Sequence, residues 1–137
     1  MTDNTQLESV KHLYLAFVLD DRSRDELIRL TKPQFSNIKC HHVTIDFDLT
    51  VESLVHHFNC VGKTVTVLAY GEFNGDGVDG VAVSINGFRN RNDGSFFHVT
   101  TSIEPPHKAV ESNKYQDSIN RWRGFLNLTG SFQLLKK

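Results

Sequence analysis

The nine residues KCHHVTIDF, Lys39 to Phe47, decide how the rest of this chain is read. Side chains at i and i+2 of a strand share a face. On that period His41, Val43, Ile45 and Phe47 form one face, while Cys40, His42, Thr44 and Asp46 form the other. FFHVTTSI, Phe96 to Ile103, repeats the pattern, with Phe97, Val99, Thr101 and Ile103 on one side and Phe96, His98, Thr100 and Ser102 on the other. In both stretches the valine of H-V-T marks the core side. Both His/Thr pairs therefore turn towards a polar cleft.

Working outward, His12 to Leu19 is β-rich and reads as a strand, with Tyr14 and Ala16 on the face opposite Leu13, Leu15, Phe17 and Leu19. DDRSRDELIRL follows, in which Ser23-x-x-Glu26 fits a capping box, and this helix closes before Pro33. Thr50 to Phe58 has apolar residues at helical spacing. Lys63 to Tyr70 and Val78 to Asn86 read as strands joined by the turn Asn74-Gly75-Asp76-Gly77. That turn slightly resembles a calcium loop but lacks its spacing and terminal Glu. Asn90 to Gly94 is a further turn before the strand Ser95 to Ile103, which Pro105-Pro106 ends. Ser112 to Arg123 reads as a helix and Phe125 to Leu135 as a last strand. The mixture predicts an α+β fold.

With 137 residues, 39% of them hydrophobic, the chain suits one domain over 1–137 with a real core, and residues 1–10 read as a flexible arm. No apolar stretch approaches a membrane-spanning length, and no basic-then-apolar leader precedes the first strand. A cytoplasmic protein that does not engage a membrane is expected. Without a secretion signal, Cys40 and Cys60 are not expected to form a disulfide, and with no C-x-x-C a cysteine zinc site is unsupported. The net charge of −1 excludes a protein that coats long nucleic acid by bulk electrostatics, but not one that grips a single phosphate.

A histidine and a threonine two residues apart on a strand make a chemical unit. The imidazole titrates near neutrality, and the hydroxyl donates to a phosphoryl oxygen. Two such units facing one another supply a general base, a general acid and two donors for non-bridging oxygens, which in-line displacement at phosphorus needs. No metal and no cofactor is required. One H-x-T among seven histidines means little; two copies 56 residues apart, on strands with matching faces, are hard to reach by accident. His42, Thr44, His98 and Thr100 are the candidate catalytic residues. A His-only metal site would need a third converging ligand that no nearby pattern supplies.

HHVTIDF and FHVTTSI resemble the paired signatures of the two-histidine phosphoesterase superfamily. HVTTSIEPPHKAVESN, His98 to Asn113, is similar to the cyclic-phosphodiesterase domain of fungal-type tRNA ligases and its viral and bacterial relatives. The resemblance implies a bilobal fold, with two antiparallel sheets around a central cleft, helices outside, and one H-x-T in each lobe. It also implies metal-independent opening of cyclic or 2′-linked phosphodiesters. The expected substrate is an RNA 2′,3′-cyclic phosphate end, opened to a 2′-phosphate. The alternatives are a signalling nucleotide, either a cyclic oligonucleotide or 2′,5′-oligoadenylate, and a nucleotide- or RNA-binding module without turnover. Nothing in the sequence fixes an oligomeric state.

Five further residues are candidates for substrate binding. Tyr14 can stack on a base. Arg89 and Arg91, in the turn before the second motif, can meet a second phosphate. Lys108 can screen phosphate charge. Ser112 belongs to the motif after the second H-x-T, where with Asn113 it also reads as a helix cap. His41 falls on the core side of its strand, and His56 and His57 fall on a helix, so none of the three is a catalytic candidate.

Overall fold

The computed structural model describes residues 10–137; the first nine positions of the expected N-terminal arm lie outside the described residues. The elements run β1 (Leu13–Leu19), α1 (Asp21–Thr31), β2 (Asn37–Ile38), β3 (His42–Asp46), α2 (Val51–His57), β4 (Thr64–Asn74), β5 (Val78–Ser84), β6 (His98–Ile103), a 3₁₀ helix (Ala109–Ser118) and β7 (Asn120–Lys136).

The strands form one sheet in the order β2-β6-β3-β1-β7-β4-β5, and β5 pairs back onto β6. Six antiparallel strands thus close into a barrel, with β2 added at the outer side of β6. This corrects the expected α+β architecture of two sheets flanking a cleft: the protein is mostly β, and both H-x-T strands are neighbours in one continuous sheet. Valine spacing explains the closure. Val99 of β6 sits opposite Val43 of β3 on one side and Val81 of β5 on the other. All three are fully buried in one cluster with Phe17, Val67, Val83 and Leu128, which fills the barrel. A second, outer cluster joins Tyr70, Phe73, Ala82 and Phe96 beneath Tyr115 and Ile119.

Two local readings are also corrected. The N-cap of α1 is Asp20, three residues before Ser23, and its carboxylate accepts from the Ser23 amide at 2.8 Å. Ser23 is buried instead, bonded to Thr129 of β7. The expected helix Ser112–Arg123 is the 3₁₀ helix only as far as Ser118; Arg121 to Arg123 belong to β7, which is 17 residues long. Trp122 and Leu126 pack against the barrel core, and that burial outweighs the helical spacing. Among the described residues, no helix is long and apolar enough to cross a membrane.

Candidate functional site

Val43 and Val99 face each other in the antiparallel β3–β6 pair and point into the barrel. Beside that pair the Cys40 amide donates to the Thr100 carbonyl at 3.0 Å, so the register shifts by two residues across His41 and His42, and His42, Thr44, His98 and Thr100 all line one cleft. All four side chains emerge on the outer surface. The two imidazoles line one cleft, close enough for the charge of one to act on the other.

Each motif is followed by a bulge. β1 pairs Ala16 with Thr44 but Leu15 with Asp46, which leaves Ile45 as the extra residue. β5 pairs Gly80 with Thr100 but Asp79 with Ser102, which leaves Thr101 extra. The same defect at the same offset from both H-x-T motifs relates β1–β3 to β5–β6. Bulges of this kind re-aim side chains and end pairing next to functional sites.

These bulges explain where strict alternation fails. Phe47, expected on the core face, is exposed and lines the cleft. Asp46, expected beside His42 and Thr44, instead meets His57 of α2 at 3.1 Å. Ser102, expected beside Thr100, is fully buried, and with Thr101 it donates to the Asp79 carboxylate. Phe96, ahead of the bulge, keeps the expected face beside His98, with ring centroids 4.7 Å apart, and joins the outer apolar cluster. His41 was assigned to the core side, yet it is exposed and lines the cleft. Cys40, just before it, has φ 47°, so the chain enters β3 from a left-handed residue and the period of two does not reach back to His41.

The cleft has a volume of about 730 Å³. His42, Thr44, His98, Thr100, Tyr14 and Arg91 all line it. Five cations, Arg24, Lys39, Arg91, Lys136 and Lys137, surround it against one carboxylate, Asp93. Arg91 holds Asp93 through two contacts, at 3.2 and 3.0 Å. A chain with net charge −1 thus concentrates positive charge at one place, the electrostatic signature of a site for an anion. Ile38, Phe47 and Val110 give it exposed apolar walls.

Both imidazoles are held neutral. Burial pushes His42 down to about 4, helped by His41 and His98. Burial also pushes His98 down to about 4; the Phe96 carbonyl opposes this and Arg91 reinforces it. His98 Nδ1 lies 3.0 Å from that carbonyl, so Nδ1 carries the proton and Nε2 is the free nitrogen. His42 Nδ1 lies 3.0 Å from His41 Nδ1, and its Nε2 lies 3.2 Å from the Tyr14 hydroxyl. Tyr14 therefore meets the imidazole edge to which a substrate oxygen would bond, and burial keeps its phenol protonated by raising its pKa. Thr100 Oγ1 lies 3.0 Å from the Ser112 hydroxyl. Ser112 is fully buried in the 3₁₀ helix, behind Thr100 rather than in the cleft.

Besides Ser112, two more of the candidate binding residues lie outside the cleft. Arg89 lies over the Tyr70 ring. Lys108 is exposed at the start of the 3₁₀ helix, its amide bonded to Glu111. Among the described residues, no three His, Cys, Asp or Glu side chains gather at metal-ligand spacing. Sequence reasoning missed His41 and the cations Arg24, Lys39, Lys136 and Lys137, which come from three distant places in the chain.

The fold and the site together define a closed antiparallel β-barrel carrying paired His/Thr units on adjacent strands. No family model matches this chain, and no curated protein matches it.

Proposed function

We propose that this protein is a metal-independent phosphodiesterase that opens a cyclic or 2′-linked nucleotide phosphodiester. The observation that carries the reading is the convergence of His42, Thr44, His98 and Thr100, from adjacent strands, on one basic cleft. The resemblance of both H-x-T segments to the two-histidine phosphoesterases supports it. In the free protein both imidazoles are neutral near pH 7. An anionic phosphate between them favours protonation of one, which gives the base-plus-acid state that displacement requires. One imidazole takes a proton from water, and the other gives one to the departing ribose oxygen. The Thr44 and Thr100 hydroxyls donate to the non-bridging oxygens. Arg91 and the lysines neutralise substrate charge. The preferred substrate is an RNA 2′,3′-cyclic phosphate end, with a 2′-phosphate as product. Unpaired Cys40 and Cys60 suit action in the reducing cytoplasm.

A second substrate reading, a signalling cyclic oligonucleotide or 2′,5′-oligoadenylate, draws on the size of the cleft and on cations at several of its sides. The deciding experiment incubates purified protein, with EDTA present, with each class of substrate and identifies the products. Turnover of a cyclic-ended RNA that His42→Ala and His98→Ala each abolish is the expected result. Near-normal turnover by either folded variant defeats the mechanism, and turnover restricted to a signalling nucleotide selects the second substrate.

A further inference from the structure

Outside the cleft, two guanidiniums meet on one tyrosine ring. Tyr70 is the extra residue where β4 slips register against β5, the pairing passing from Ala69–Val83 to Gly71–Ala82. Against β7 the slip is larger. Ala69 pairs with Leu126 and Gly71 with Arg121, so the segment Trp122 to Phe125 stands opposite Tyr70 alone. This double bulge places the Tyr70 ring in the outer apolar cluster, where only 6% of the residue is exposed. Arg89 Cζ lies 4.8 Å from the ring centroid and Arg121 Cζ lies 5.7 Å from it, both within cation–π range.

Among the described residues, neither arginine forms an ion pair with a carboxylate. Two like charges are thus fixed on one ring, within about a Debye length of each other at 0.1 M salt, ~10 Å. An anion between them relieves that repulsion, and a guanidinium fork matches the oxygens of a phosphate. The place is informative too. The Phe97 amide, next to His98, donates to the Arg89 carbonyl at 2.8 Å, and Arg91, two residues further on, lines the cleft. Phe96 belongs to the same cluster as Tyr70 and touches His98. The arginine pair therefore lies outside the cleft, beyond Phe96 on its His98 side. Phe88, next to Arg89, and Phe125, four residues after Arg121, are 70% and 69% exposed and offer faces on which bases can stack.

We propose that Arg89 and Arg121, braced on Tyr70, form a second phosphate subsite that takes a backbone phosphate of an oligonucleotide whose reacting phosphodiester lies between His42 and His98. This rests on the phosphodiesterase reading and narrows its substrate to chains carrying at least one further phosphate. Arg121 supplies what the turn residue Arg89 lacks by itself, a second fork on a rigid strand.

Two measurements test the subsite. The first is fluorescence anisotropy with a fluorescein-labelled 2′-O-methyl tetra-adenylate, which presents backbone phosphates and resists 2′-hydroxyl chemistry. Arg89→Gln with Arg121→Gln should weaken its binding about tenfold and flatten the salt dependence by about one unit of slope. Arg89→Lys with Arg121→Lys should keep the salt slope and recover part of the affinity. The second measurement compares adenosine 2′,3′-cyclic phosphate with a triadenylate that carries the same cyclic end. The Gln pair should lower kcat/KM about tenfold through KM on the trinucleotide, and less than twofold on the mononucleotide. Equal losses on both substrates, unchanged tetra-adenylate binding, or a wild-type protein that does not bind tetra-adenylate would each overturn the subsite. Arginine-dependent binding without turnover of either substrate would keep the subsite and defeat the phosphodiesterase reading instead.

Discussion

Lowering the pH should destabilise this protein through His42 and His98 more than through any other pair of groups, and the size of the effect follows from their burial. Both rings titrate near 4 in the folded chain, against 6.5 for a free imidazole. A folded pKa below the unfolded one means that the unfolded chain binds protons first. The stability held by the neutral rings is then complete above pH 6.5 and is lost as pH falls towards 4. Between pH 7 and 5 the unfolded chain takes up nearly one proton at each site and the folded chain almost none. Linkage then gives a loss of about 3 kcal/mol for the pair, trimmed because His42 keeps part of its ring in the cleft. For a chain of this length that is roughly 10 °C in Tm. Thermal melts of the wild type and of the His42→Asn/His98→Asn protein at pH 7, 6 and 5 isolate the effect, because the other titrating groups contribute to both proteins. The wild type should lose the extra 10 °C. Parallel pH dependences would show that the imidazoles are not buried neutral, and would remove the charge-state argument for the phosphate site.

Replacing either His42 or His98 by alanine should lower kcat by about 10²- to 10⁴-fold, and the double variant should fall far less than the product of the two. Stopped assays on a cyclic-ended RNA measure this. Ser112→Ala removes the buried partner of Thr100, so a loss of about 1 kcal/mol in urea melts is expected, with a several-fold loss of kcat as the Thr100 hydroxyl loses its fixed orientation. Asp79 is buried and accepts from Thr101, from Ser102 and from the Gln34 amide, so Asp79→Ala should cost about 3 kcal/mol in the same melts. Tyr14→Phe should raise the His42 pKa little, since burial is the larger cause, and NMR titration of the imidazole nitrogens reads it directly.

How far the sequence could be read depended on where its periods held. The H-V-T triplets kept strict alternation, so the valines went into the barrel and the His/Thr pairs outward. Just beyond each triplet a single extra residue, Ile45 or Thr101, broke the period, and Phe47, Asp46 and Ser102 landed away from their expected faces. A bulge is set by the pairing partner's register, which the strand's own residues do not contain. Closure of the sheet was hidden for a similar reason. It depends on β6 pairing along both edges, and a valine buried against one neighbour looks the same in sequence as one buried against two. The helical reading of Ser112 to Arg123 failed because Trp122 is drawn to the barrel core, a long-range contact that no local window contains.

The spacing of His42 and His98 is set by main-chain hydrogen bonds between adjacent strands, not by the packing of one lobe on another. The distance between the two imidazoles therefore has no hinge to tune it. Everything that can vary lies on the rim: the 3₁₀ helix, the Arg91–Asp93 turn and the residues about Lys39 and Lys136. On the phosphodiesterase reading, substitutions there would change which substrate enters while the strand pairing that carries the two imidazoles stays constant, so altered specificity can be sought by loop exchange without re-aligning the histidines.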